Sequence, residues 1–235
     1  MSAPKEGAGR RRFLQQAAAG LAGAGGALWT PAALAQLGVD GLDKFDLVIR
    51  NGDVVDPSQN LRGKRDIGIK NGRVALIAAE IPADKAAQSL DARGRLVMPG
   101  LVDLHAHVYP QASAIGLPAD ELVQFTATTT YVSAGDAGGN NFSAFKHFVM
   151  AQARSRIYAF VHISSIGLAG FPVGEMKNLE YANVDLAAKT PAENPESVLG
   201  ITVRESLDVV GANGIEPLRR ARLAAERSGV CRARG

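Results

Sequence analysis

The stretch Met98-Pro99-Gly100-Leu101-Val102-Asp103-Leu104-His105-Ala106-His107-Val108 joins a Pro-Gly turn to an apolar strand that carries two histidines one residue apart. Alternate side chains of a strand share a face. Leu101, Asp103, His105 and His107 are therefore expected on one side. Val102, Leu104, Ala106 and Val108 are expected on the other, toward covering helices. Two imidazoles at one strand tip can meet a single ion. A His-x-His pair taken alone is more often two surface histidines, or two that ordinary hydrogen bonds satisfy. Here the pair ends an apolar strand, follows a turn and uses two of the chain's four histidines. That context favours His105 and His107 as metal ligands. Asp103 shares their face and is expected to orient one of the rings.

Downstream of Gly100, apolar strands alternate with helical stretches. Strands are expected at Leu101 to His105, Thr129 to Ala134, Tyr158 to Ile163 and Leu199 to Val203. One helix is expected after Asn141, a good N-cap residue, with Phe142, Phe145, Val149 and Ala153 on one face. Another has Pro217 near its start and Gly229 at its end. Strand–helix alternation with strands apolar on both faces implies a parallel sheet or a βα barrel. In a barrel the His-x-His tip lies at the end where active sites are built. Upstream, Asn51-Gly52 and Asn71-Gly72 each separate two apolar runs and are expected as hairpin turns. Asp56-Pro57-Ser58 and Ala92-Arg93-Gly94 mark further turns, so residues 36–97 read as a small all-β unit built of hairpins.

Residues 1–35 form a separate object. Lys5, Arg10, Arg11 and Arg12 precede an uncharged run of small and apolar residues from Phe13 to Leu28, and Ala33-Leu34-Ala35 is a small-x-small site. This order is that of a secretory signal, too short for a membrane span. Arg10-Arg11-Arg12-Phe13-Leu14 resembles a twin-arginine signal. The expected location is the periplasm or beyond, with no stable membrane anchor after cleavage; the alternative is an uncleaved amphipathic anchor. The formal net charge of +3 is that of this segment alone, since its four basic residues face only Glu6. The remainder is near neutral and gives no argument for nucleic acid. A composition of 46% hydrophobic and 21% charged residues excludes a disordered chain. The single cysteine, Cys231, cannot form an internal disulfide.

The β unit ending in Leu96-Val97-Met98-Pro99-Gly100 and running into Leu101-Val102-Asp103-Leu104-His105-Ala106-His107 resembles the amidohydrolase superfamily, in its dihydroorotase-like and deacetylase-like branch. The likeness extends through residues 133–142 and 200–206. It implies an α/β fold: a TIM (β/α)₈ barrel beside a small β-sandwich. It implies one or two divalent ions, usually zinc, holding a hydroxide that attacks an amide or ester carbonyl of a small-molecule substrate. His105 and His107 match the first two ligands of that family.

Two departures accompany the likeness. The family's bridging lysine ends the fourth strand, where this chain has Thr202 in Gly200-Ile201-Thr202-Val203-Arg204. A threonine cannot form the lysine carbamate and is not expected to ligate. Lys177 and Lys189 lie in connections and are not obvious substitutes. Residues 98–235 are also too few for a barrel, which takes about 250 residues. The expectation is about four βα units, the first half of a barrel, with a premature stop or frameshift near residue 229. Pairing of half barrels, as a homo-oligomer or with a partner, is the alternative. Two functions follow: a metal-dependent hydrolase of non-peptide amide, cyclic amide, N-acyl or acetyl ester bonds, or a catalytically inactive exported fragment or binding module. Asp136, with Ser133 and Asn140, and Arg204, with Glu205, fall at strand ends and are candidates for the substrate pocket or for support of the ligands. His147 is expected in a structural role on its helix. His162 is expected to be structural or to line the pocket.

Overall fold

The computed structural model describes residues 44–171 and 174–229. The signal-like segment with Trp29, and Cys231 at the other end, lie outside the described residues. The chain divides into two compact units, Met1–Pro99 and Gly100–Gly235. Among the described residues no helix is long and apolar enough to cross a membrane.

The described part of the first unit is a five-stranded sheet in the order β3-β2-β1-β4, with β5 also beside β1. Its strands are β1 (Leu47–Asp56), β2 (Leu61–Lys70), β3 (Arg73–Ala78), β4 (Ser89–Asp91) and β5 (Leu96–Val97). Asn71 and Gly72 make the expected two-residue hairpin. Both have positive φ, 51° and 68°, and Lys70 pairs with Arg73 across them. Asn51-Gly52 is not a hairpin. It is a bulge inside β1, where the register to β2 shifts between Ile49 and Gly52. The Asn51 N–H leaves the ladder and donates to Asp66 Oδ1 at 2.9 Å. Asp66 is buried and also accepts from Ile81 N at 3.0 Å and from Arg50 Nη1 at 3.2 Å. The unit is not built of hairpins alone either, since β4 and β5 run parallel to β1. Phe45, Val48, Ala78 and Ile81 form its core.

The second unit is a four-stranded, wholly parallel sheet in chain order, β6-β7-β8-β9. The strands are β6 (Leu101–Ala106), β7 (Thr128–Gly138), β8 (Arg156–His162) and β9 (Val198–Thr202). Helices α1 (Ala119–Thr126), α2 (Phe142–Phe145, running on as a π-turn to Met150) and α3 (Val184–Glu193) cross between successive strands. Helices α4 (Leu207–Val210) and α5 (Glu216–Ser228) follow β9. Gly229 closes α5 in the left-handed region, as its position after the last periodic residue predicts.

Asn141 does not cap α2 with its side chain. Its amide instead ties two strand-end loops together, accepting from Gly138 N at 2.9 Å and donating to Ile166 O at 3.1 Å. Phe142 and Phe145 are buried as their spacing requires, in a cluster with Val108, Tyr131 and Val161. Each such side chain contributes about 1.5–3 kcal/mol on leaving water. A second cluster joins Ile163 and Met176 to Ala187, Val209 and Ala221 beneath the helices that follow β8 and β9. The face of β6 expected to meet helices is only half covered. Ala106 and Val108 are buried, but Val102 and Leu104 are 56% and 69% exposed. β6 lies at one edge of the sheet, and its pairing with β7 is irregular between Asp103 and Ala106.

Candidate metal and substrate site

Because the four strands are parallel, their C-terminal tips come to one end of the second unit. β6 brings His105 and, one residue past its end, His107. β7 brings Ala134, Gly135 and Asp136; β8 ends at His162; β9 brings Thr202 and, just beyond, Arg204. The rings of His105 and His107 lie with centroids 5.5 Å apart and planes at 83°. They line a cavity of about 220 Å³ together with Thr202 and Arg204; Leu168 and Phe171 supply apolar wall. A second, larger cavity of about 530 Å³ lies beside α1 and is lined by Asp120, Thr129 and Arg154. Thr129 is near the start of β7 and Arg154 lies two residues ahead of β8, so that cavity is at the opposite end of the strands from the histidines.

The residue that orients an imidazole is Asp136. Its Oδ1 lies 2.9 Å from Nδ1 of His107. Its Oδ2 accepts from Val108 N and Ser133 Oγ, both at 2.8 Å. The side chain of Asp136 has no exposed surface. A carboxylate accepts, so Nδ1 of His107 donates, and in the neutral ring this leaves the lone pair on Nε2, the form a metal needs. Asp103 does not take this part. It is exposed, and its Oδ1 accepts from the backbone N–H of His105 at 3.0 Å. The β6 irregularity turns that carboxylate back onto its own strand.

The bend that delivers Asp136 is at Gly135, whose φ is +88°. A Cβ there would come within 2.7 Å of Thr202 Cγ2 and 2.9 Å of His162 Cδ2. Only glycine lets β7 turn against β8 and β9 at this point. His162 is fully buried, and its Nδ1 accepts from Ser164 N at 2.9 Å. The ring is held neutral: burial, and secondarily the Arg204 charge, push its pKa down to about 4. Among the described residues its Nε2 has no hydrogen-bond partner. His162 does not line the cavity with the other histidines.

Among the described residues no three His, Cys, Asp or Glu side chains converge to hold an ion. The two imidazoles are a suitable start for a transition-metal site, but a catalytic zinc takes three protein ligands and an open position. Thr202 lines the cavity at the strand-four position and adds no strong ligand. Lys189 lies on α3 beside Glu193 at 3.7 Å. Neither Lys189 nor Lys177 lines the cavity. Arg204 is held by Glu175, whose Oε1 lies 2.6 Å from Nη1. Sequence reasoning missed Glu175, which is fully buried yet sits in a connection whose pattern carries no periodic signal. Glu205 and His147 fall outside the cavity wall.

No protein-family model matches the chain. A deacetylase of Agrobacterium fabrum is 33% identical over 150 residues, which is 63% of this chain and 37% of that protein. The crystal structure of a dihydroorotase superposes with a TM-score of 0.67 at 29% identity, covering 77% of this chain and 48% of the other. That of an adenine deaminase superposes with a TM-score of 0.69 at 28% identity, covering 80% and 49%. The chain thus spans between about a third and a half of the length of the proteins it matches.

Proposed function

Since the chain belongs to the amidohydrolase superfamily, we propose that the protein is a metal-dependent hydrolase of non-peptide amide, cyclic amide, N-acyl or acetyl ester bonds. The observation that supports this reading is the pair His105 and His107 at one strand tip, with His107 tautomerically set by the buried Asp136. The two imidazoles would supply the first two ligands of a divalent ion, with zinc the first candidate. Such an ion lowers the pKa of bound water and polarises a carbonyl. This chain's own residues present Nε2 of His107 to the cavity. They hold Asp136 in place through Ser133 and Val108, and they wall the site with Leu168 and Phe171 against water. The twin-arginine-like start supports export to the periplasm, and the break at Pro99–Gly100 supports a β domain of residues 36–97 ahead of barrel units from residue 98.

A second reading, an inactive module that binds without hydrolysing, is favoured by Thr202 at the lysine position. Zinc titration of the full chain against a competing chelator separates the two, run beside hydrolysis of N-acetyl, acetyl ester and cyclic amide substrates. The hydrolase reading expects stoichiometric zinc, lost in His105→Ala and His107→Ala, and turnover that a chelator removes. A chain that neither holds zinc nor turns over these substrates belongs to the second reading.

A further inference from the structure

We propose that Asn71 is a site of spontaneous covalent modification, deamidated through attack by the Gly72 nitrogen, and that the fold protects the chain's other two Asn-Gly pairs. Asparagine is among the chemically labile side chains, and a glycine after it puts no side chain in the way of the ring that forms. Three such pairs occur, Asn51-Gly52, Asn71-Gly72 and Asn213-Gly214. What ranks them is how each asparagine amide and each glycine backbone is held. Nδ2 of Asn51 donates to Asp91 Oδ1 at 3.1 Å, and its N–H donates to Asp66. Gly52 is buried within β1 and pairs with Arg65 of β2. A Cβ on it would lie 2.6 Å from Val97 Cγ2, so this backbone has no room to swing toward the asparagine side chain. Asn213 is half-buried, and its Nδ2 donates to Met176 O at 2.7 Å and Lys177 O at 3.0 Å. Both amides must give up hydrogen bonds before they meet the glycine nitrogen.

Asn71 has neither restraint. It and Gly72 are exposed. Among the described residues the Asn71 side chain makes no hydrogen bond, and the Gly72 N–H donates none. A Cβ on Gly72 would meet nothing within 4 Å, so a cyclic imide fits there. The turn joins β2 to β3, and β3 is an edge strand. The Lys70–Arg73 pair that closes it can therefore open locally while the rest of the sheet stays paired. In the reaction the Gly72 nitrogen bonds to the side-chain carbonyl carbon of Asn71 and gives up its proton. The amide C–N bond breaks, and ammonia leaves with that proton. Water then opens the imide at one carbonyl or the other, giving an aspartyl or an isoaspartyl residue, with no oxidation or reduction. Either product sets a new carboxylate beside Asp46, whose Oδ2 accepts from the Asn71 N–H at 2.6 Å. The isoaspartyl form also adds a methylene to the main chain of a two-residue loop, which the register of Lys70 against Arg73 does not accommodate.

The test incubates the full chain at physiological temperature and mildly alkaline pH, in native buffer and in concentrated guanidinium chloride. Lys-C digestion at acidic pH and fragment-ion mass spectrometry then follow each Asn-Gly pair. An isoaspartyl carboxyl methyltransferase with a labelled methyl donor reads the isoaspartyl product. In native buffer Asn71 is expected to convert at least about tenfold faster than Asn51 or Asn213, since the hydrogen bonds those side chains must break carry that factor. In denaturant the three rates are expected to converge, because the protection belongs to the fold. Asn71→Gly keeps a residue suited to positive φ in the turn and removes the amide; it is expected to abolish methylation of the natively incubated chain. Equal rates at the three pairs in native buffer, an Asn71 that does not convert there, or a ranking that denaturant leaves unchanged overturns the proposal. Methylation of Asn71→Gly at the wild-type level overturns it as well.

Discussion

Oδ1 of Asp136 and Nδ1 of His107 lie 2.9 Å apart, and the other carboxylate oxygen accepts from two donors, Val108 N just past the end of β6 and Ser133 Oγ on β7. This pair fixes which ring nitrogen of His107 faces the cavity. Asn at position 136 has no orientation that keeps all three bonds. With its oxygen toward His107, its NH₂ faces the Val108 N–H. Flipped, it forces the proton of His107 onto Nε2. Asp136→Asn is therefore expected to lower zinc affinity by about 10- to 100-fold and stability by about 1–3 kcal/mol. Competitive zinc titration and urea unfolding measure the two; an unchanged zinc affinity would remove Asp136 from its orienting role.

His162 makes stability depend on pH. Its folded pKa is depressed from 6.5 to about 4, first by burial and then by Arg204. Below pH 6.5 the unfolded chain takes up a proton that the folded chain refuses, so stability falls as pH falls from 6.5 toward 4; above 6.5 the group contributes nothing. At pH 5 the loss is about 2 kcal/mol. Urea midpoints at pH 7.5 and 5.0 should separate by less in His162→Gln than in the wild type. Equal separations would show that the imidazole titrates freely.

Gly135→Ala combines a positive φ with a Cβ that has no room beside Thr202 and His162. The expected loss is about 2 kcal/mol or more, read as a lower thermal midpoint. Because the bend sets Asp136, zinc affinity should fall with it. A variant as stable as wild type would mean that β7 turns by another route.

In the first unit, Asp66→Ala leaves the N–H groups of Asn51 and Ile81 and the charge of Arg50 without their shared acceptor. A loss of about 3 kcal/mol is expected. Denaturant unfolding followed through this unit checks it, and a change below about 0.5 kcal/mol would show the network to be dispensable.

The parallel strands were legible from their alternation with helical stretches and their apolar residues on both faces, and the His-x-His tip from its place at the end of the first of them. The two Asn-Gly pairs of the first unit look alike in sequence, and what separates them is Asp66, fifteen residues beyond Asn51, whose carboxylate captures one N–H and makes a bulge of that pair. Asp103 was assigned to the imidazoles by alternation, which assumes a regular strand; β6 is irregular at that residue. Asp136 stood out as a strand-end acid, but its bond to His107 crosses from one strand to the next and no spacing records it. Glu175 gave no signal, since a lone acid in a connection looks solvated until Arg204 is seen above it. Helices α1 and α3 lacked individual signals as well. α3 contains Pro191 and buries only Ala187, Ala188, Thr190 and that proline, a weak amphipathic pattern.

The arrangement of β4 and β5 has a consequence for biosynthesis. They cover the same edge of β1 in succession, β4 against Val48–Arg50 and β5 against Asp53–Val54. They are also the final strands of their unit to leave the ribosome. Until residue 97 has been translated, the central strand keeps one side open to any other extended segment nearby. Completion of this small sheet thus waits until β5, the segment just ahead of β6, has left the ribosome.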